Sequence, residues 1–300
     1  MWPRSSPPSR LPLRSDPMLT RSFCFVNRGV AEDQERALWG RGVVSWEVLK
    51  KYPEEAGAVL GASRAGKLVE VVTDAQAALA RGDASWFKSN WPEKECWRMW
   101  QGYCTPAQRA LVDIETTGLT PGVDQITVIG LADGAPSARV FVAGRPQPGD
   151  EPLEKFREAI KAYKLIVTYN GAGFDLPFIE RQFKDQAFRF ELPHADLMFP
   201  ARAMGLQGGL KDMEKQVGIV RSGEIKDMRG DEAIRLWGHW KNASDLSAYR
   251  KLTTYCKADC ENLAEFGDAV YKARWAKVHT TFAREIDFAA VKGQQLSLFG

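Results

Sequence analysis

Between residues 110 and 169 the chain carries four short runs rich in Val and Ile, at 110–114, 125–132, 139–142 and 165–169, bounded by Gly, Pro and Asp. Runs of that length and composition, closed by turn-forming residues, are strand signals. The first three follow one another across short turns and are expected to form an antiparallel meander. Helical spacing at 152–163 separates the third from the fourth, and recurs at 175–184, 210–217, 231–241 and 247–274. Three strands, a helix, another strand and then mainly helices specify an α/β architecture, a mixed sheet flanked by helices.

The segment before this reads differently. Residues 19–60 place Ala37, Leu38, Val43, Val44, Trp46 and Leu49 at helical spacing, with Gly29, Gly40 and Gly42 at the turns. Short helices in a hairpin arrangement are expected, within a small helical accessory region over 18–105. Its Gly29-Val30-Ala31 turn keeps only one of the two glycines of a helix-hairpin-helix DNA-binding turn, a degenerate form that favours a packing role. Four tryptophans between 86 and 100 interleave with Lys88, Lys94 and Arg98. They suit either a stacking surface for single strands or a buried aromatic face, and the three-residue spacing of Trp97 and Trp100 favours the buried face.

Residues 1–17 hold five prolines and three arginines against one acid, and a disordered tail is expected. An Arg- and Ser-rich, acid-poor start has the flavour of an organellar transit peptide, but prolines interrupt any amphipathic helix, and Met18 is an alternative start. No apolar run of the 300 residues approaches the roughly 20 needed to cross a bilayer, so no membrane partner is expected. The five cysteines, Cys24, Cys96, Cys104, Cys256 and Cys260, are odd in number and scattered, which points to a reducing, cytoplasmic setting. Cys256 and Cys260 stand four apart on one helix face, yet no second Cys or His pair has zinc-like spacing, which argues against structural zinc. A net charge of +3 permits nucleic-acid binding without demanding it.

Three acidic elements carry the chemistry. Asp113-Ile114-Glu115 closes the first strand, and residues two apart on a strand point to one side, so two carboxylates project together. Thr116-Thr117-Gly118 ends the strand at once and places both acids at its exposed carboxyl end; the bland alternative is a solvated edge. In the second element, Tyr169-Asn170-Gly171-Ala172-Gly173-Phe174-Asp175-Leu176-Pro177, a strand runs through a glycine loop to an acid that opens a helix, where Asp175 serves either as a cap or as a site residue. In the third, Tyr255-Cys256-Lys257-Ala258-Asp259, the phenol and carboxylate four apart share a helix face with Leu252, Leu263 and Phe266. A carboxylate among such core-facing residues requires a metal or a cationic partner.

Taken in order, these elements resemble the pattern of the DEDD exonucleases: Asp-x-Glu on a first strand, Asn followed by Phe-Asp after a later strand, and Tyr-x-x-x-Asp on a late helix. Tyr255 marks the DEDDy branch; the DEDDh branch has a His five before the last acid, where this chain has Thr254, and His194, His239 and His279 fall outside that slot. Over roughly residues 95 to 270 the chain resembles a bacterial family of predicted DEDDy exonucleases with a ribonuclease-H-like domain, in which a Trp-rich segment precedes Asp-Ile-Glu-Thr-Thr-Gly and Tyr-Asn-Gly precedes Phe-Asp-Leu-Pro-Phe. The resemblance implies a ribonuclease-H-like domain over 106–275 and a metal-dependent 3′–5′ exonuclease that releases nucleoside 5′-monophosphates. It implies two Mg²⁺ or Mn²⁺ ions, with Asp113 bridging both, Glu115 and Asp259 holding the one that activates water, Asp175 supporting the other, and Tyr255 orienting the water. Asp196, in Asp196-Leu197, is assigned a structural role. Arg181, Lys184, Arg202, Lys211 and Lys226 are available for substrate phosphates.

The chain closes on Gln295-Leu296-Ser297-Leu298-Phe299 before Gly300, in a tail over 276–300. This resembles the pentapeptide by which bacterial replication and repair proteins dock on the DNA polymerase sliding clamp. Leu298 and Phe299 suit an apolar pocket and Gln295 its rim; the alternative is a hydrophobic end folded back on its own domain. A clamp partner favours DNA, with single-stranded 3′ ends as substrate and repair or replication as setting. The competing readings are an RNA 3′–5′ exonuclease and a non-catalytic clamp-associated binding module.

Overall fold

The four Val- and Ile-rich runs pair into one mixed sheet at the centre of the molecule. The computed structural model describes residues 18–26, 30–135, 137–221, 223–226, 228 and 230–279. The expectations for the tail at 1–17, for the Gly29 turn and for the clamp-like peptide Gln295–Phe299 therefore lie on or across residues outside those described.

Six helices come first: α1 (Met18–Arg21), α2 (Glu32–Gly40), α3 (Trp46–Lys51), α4 (Pro53–Leu60), α5 (Ala62–Arg81) and α6 (Ala84–Asn90), followed by a 3-10 helix, Glu93–Trp100. Ser45 caps α3 by accepting from the Val48 amide and Asp83 caps α6 by accepting from the Trp86 amide. Trp97 and Trp100 lie on the 3-10 helix rather than an α-helix, and there too residues three apart stack on one face. Both are buried, so the aromatic face is a packing surface. Trp100 lies against Gly267 and donates to Asp268 at 2.7 Å.

The sheet follows, formed by β1 (Arg109–Thr116), β2 (Ile126–Ala132), β3 (Arg139–Val142), β4 (Glu151–Pro152), β5 (Leu165–Thr168) and β6 (His194–Asp196), in spatial order β4-β3-β2-β1-β5-β6. β1, β2 and β3 form the expected antiparallel meander, and β5 lies parallel to β1, with β6 parallel to β5. Helices α7 (Phe156–Ala159), α8 (Asp175–Gln182), α9 (Met198–Ala203), α10 (Leu210–Gln216), α11 (Gly230–Ala243) and α12 (Leu246–His279) flank it. The expected helix at 152–163 is broken into a 3-10 turn, the single turn α7 and another 3-10 turn.

Both faces of the sheet are buried. Ala110, Val112, Ile114 and Ile166 pack with Phe156, Phe178 and Ile179 on one side. Leu111, Leu165 and Val167 pack on the other with Leu263, Phe266 and Val270 of α12, in an apolar cluster that continues into the accessory helices through Trp100, Leu68 and Leu38. The accessory region thus shares a core with the sheet. Among the described residues no helix is long and apolar enough to cross a membrane.

Candidate active site

Side-chain alternation on β1 decides where its acids go. Ala110, Val112 and Ile114 face α8, so Leu111 and, by the same parity, Asp113 and Glu115 face α12. There α12 presents Tyr255 and Asp259, each 6% exposed. Close approach of α12 depends on Gly130 of β2, which pairs with Asp113: a Cβ at Gly130 would stand 2.5 Å from the Cys260 sulfur and 2.9 Å from that of Cys256.

Asp175 arrives from the opposite side, at the first turn of α8. The loop that delivers it is pinned in two places. Thr168 Oγ1 accepts from the Gly171 amide at 3.0 Å, in a turn so tight that a Cβ on Gly171 would stand 2.5 Å from that of Thr168. Asp196 accepts from the amides of Asn170 at 2.7 Å, Ala172 at 3.1 Å and Met198 at 3.0 Å. Asn170 takes the left-handed conformation at φ 63° that such turns tolerate for Asn. Asp196 is the fastener of this loop, the structural role read for it.

The acids share one electrostatic field. Burial, and then the charges of Asp259, Asp175 and Glu115, hold the Asp113 carboxyl well above the usual carboxylate range. Burial and Asp259 do the same to Glu115, and burial pushes Asp175 up to about 7. Asp259 is also raised by burial, against the pull of its ion pair with Arg221. Arg221 holds Glu214 as well, through bonds of 2.7 Å from both Nε and Nη2. Lys211 donates to the Tyr255 hydroxyl at 2.7 Å and lies 4.0 Å from the centre of its ring. Tyr255 in turn hydrogen-bonds Asp259, and burial with the surrounding acids raises its phenol far above the ordinary range, so it keeps its proton.

The structure therefore brings Asp113, Glu115, Asp175, Tyr255 and Asp259 together. Glu214 joins these acids, and among the described residues Lys211 and Arg221 are the cations that bond directly to the group. Glu115, 6% exposed, accepts no hydrogen bond and joins no ion pair among the described residues. A buried carboxylate without a hydrogen bond or ion pair, among acids that raise one another, fits a bound divalent cation, and an oxygen-rich donor set fits a hard one. A cavity of about 480 Å³ opens over the centre, lined by Asp113, Tyr169, Lys211, Lys215, Lys226 and Tyr255 among others.

Of the basic residues singled out for phosphate, Lys211 and Lys226 line this cavity, whereas Arg181 and Lys184 line a separate one of about 170 Å³ beside the β1–β2 turn. Sequence reasoning required a cation or metal beside Asp259 but missed Arg221, which lies 38 residues away along the chain. Lys215, one helical turn beyond Lys211 on α10, also lines the cavity, and helical spacing alone is enough to pair the two.

The RNase_H_2 family model, described as RNase_H superfamily, matches residues 110–271, and the chain belongs to that superfamily. Family and site together support a nuclease that handles nucleic acid. No curated protein matches the chain. Among solved structures it is similar to the family B DNA polymerase from the hyperthermophilic archaeon Pyrobaculum calidifontis, at 14% identity and a TM-score of 0.41, over 60% of this chain and 28% of that one. The family assignment rests on the sequence model alone.

Proposed function

We propose that the chain is a metal-dependent 3′–5′ exonuclease acting on single-stranded ends of DNA and releasing nucleoside 5′-monophosphates. The observation that carries this reading is the convergence of Asp113, Glu115, Asp175 and Asp259 from three elements on one buried centre, in which Glu115 accepts no hydrogen bond and joins no ion pair among the described residues. These four acids would hold two Mg²⁺ or Mn²⁺ ions, which supply charge neutralisation at the phosphate and acidity to the attacking water.

The chain's own groups divide the remaining work. Tyr255 keeps its proton and is fixed by Lys211 and Asp259, so it acts as a hydrogen-bonding positioner of water rather than as a base. Lys211, Lys215 and Lys226 line the same cavity as Asp113 and Asp259, which suits a polyanion laid across an acidic centre. The tail peptide Gln295–Phe299 supports a sliding-clamp partner, a replication or repair setting and a bacterial source within the same reading.

The test uses 5′-labelled single-stranded DNA and the matching RNA, with Mg²⁺, Mn²⁺ or EDTA, on wild type and Asp113→Asn. A metal-dependent ladder shortening from the 3′ end is expected, faster on DNA. In Asp113→Asn it should fall by at least about 100-fold, beyond the range for losing a ligand's supporting partner. A faster RNA ladder would change the substrate. No ladder on either polymer, from folded protein that still binds single strands, would replace the enzyme with a binding module.

A further inference from the structure

The thiol of Cys256 has no part in the proposed hydrolysis, yet it stands at the same centre. Its sulfur and one carboxylate oxygen each of Asp113 and Glu115 all lie within 4.8 Å of one another. One further observation makes this more than a buried cysteine beside acids. Glu115 is nine-tenths buried and unpartnered among the described residues, with its carboxylate in that group of three. The sulfur itself hydrogen-bonds that of Cys260 and makes a long contact of 3.8 Å to the Asp113 carbonyl oxygen, as weak S–H donors and acceptors do.

Hard ions such as Mg²⁺ gain little from sulfur, whereas thiolate is a preferred ligand of softer ones, above all Zn²⁺. Zinc takes sulfur at about 2.3 Å and carboxylate oxygen at about 2.0–2.2 Å, so ligand atoms around one tetrahedral ion sit roughly 3.5 Å apart. Closing the three atoms by roughly 1 Å is within the reach of the Glu115 side chain, which turns about three bonds. We propose that Cys256, Asp113 and Glu115 form a mixed sulfur–oxygen site for a soft divalent cation, typified by Zn²⁺, which competes with the hard ions at this centre. On binding, the S–H bond breaks, the sulfur electron pair goes to the ion and the proton leaves to solvent; no electron transfer is involved. Cys260, a free thiol hydrogen-bonded to that of Cys256, lies outside the group of three and serves as the internal control.

The inference rests on the centre that also carries the nuclease reading, so the experiment separates the two. Metal-stripped full-length protein is titrated with Co²⁺ and then Zn²⁺. A near-ultraviolet thiolate-to-cobalt band, displaced by Zn²⁺, is expected in wild type and Cys260→Ser and absent from Cys256→Ser. Zn²⁺ affinity should fall at least about tenfold in Cys256→Ser while Mn²⁺ affinity changes by less than about threefold, as ligand softness requires. X-ray absorption of the zinc-loaded wild type should show one sulfur among oxygen neighbours, which keeps the test decisive even where the serine variant does not fold. A bound ion with no sulfur neighbour, or a cobalt band that survives in Cys256→Ser, would overturn the proposal. Cleavage in Mn²⁺ is assayed on the same preparation. A cobalt band without cleavage leaves this site standing and removes the nuclease, and cleavage without a band does the reverse.

Discussion

Replacing Arg221 by Ala tests whether the acidic centre depends on a protein cation as well as on metal. The Arg221 side chain is 4% exposed and is paired with Glu214 at 1% and Asp259 at 8%. Removing one member of such a buried pair leaves uncompensated charge in low dielectric and costs about 3–5 kcal/mol. At about 2–4 °C per kcal/mol for a chain of this size class, the melting temperature in EDTA should fall by roughly 6–20 °C. Differential scanning calorimetry reads this directly. Adding Mg²⁺ should raise the variant's melting temperature more than the wild type's, because the ion then neutralises an Asp259 that has lost its partner. Replacing Arg221 and Glu214 together by Met and Leu should recover part of the loss, since it removes one of the two stranded charges. A single variant melting within about 2 °C of wild type, the effect of an ordinary surface change, would refute the reasoning, as would a double variant no better than the single.

Two further outcomes follow from the loop and from the far side of the sheet. Gly171→Ala would drive a Cβ to 2.5 Å from that of Thr168, so a destabilisation of about 1–3 kcal/mol is expected from overpacking. Displacement of Asp175 by about 1 Å should also lower cleavage by about 100-fold, and a variant with full activity would show that the turn does not set the acid's position. Burial pushes the His194 imidazole down to about 4 from 6.5, so the unfolded chain binds the proton more readily and stability is lost as pH falls between those values. The full loss is about 3 kcal/mol by the usual conversion. The clustered carboxylates contribute with the opposite sign, because their raised values favour the folded state at low pH. The measurement is therefore the difference in melting temperature between wild type and His194→Gln across pH 7 to 4, and parallel curves would contradict the assignment.

The catalytic half of the fold was legible where the signal is local. β1 and its Asp113–Glu115 pair follow from alternation and an abrupt turn, and Tyr255 and Asp259 from helical spacing within a strongly patterned helix. β6 was not legible, because His194-Ala195-Asp196 has no strand composition and is a strand only by pairing with β5. β4, two residues long, is set in the same way by its register on Phe141 and Val142. Arg221 was hidden for a related reason: its partners Glu214 and Asp259 belong to different helices, and no spacing rule joins a loop arginine to an acid 38 residues on. In the accessory region the helices at 18–60 were expected, but α5 was not read, although it is the longest of that region.

The 34 residues of α12 make a rod about 50 Å long at 1.5 Å per residue. Asp259 sits near its middle, and its far end is gripped by the accessory helices: Arg274 pairs with Glu32 at 2.9 Å, Arg36 donates to the Val278 carbonyl at 3.2 Å, and Trp39 meets Trp275 edge-on. For anyone trimming the chain to the half that matches the family model, the boundary at residue 105 is consequently the wrong place to cut. A fragment starting there would carry the clustered acids on a beam with one support removed and would lay Leu263, Phe266, Val270 and Trp275 open to water, a recipe for inclusion bodies rather than a minimal enzyme.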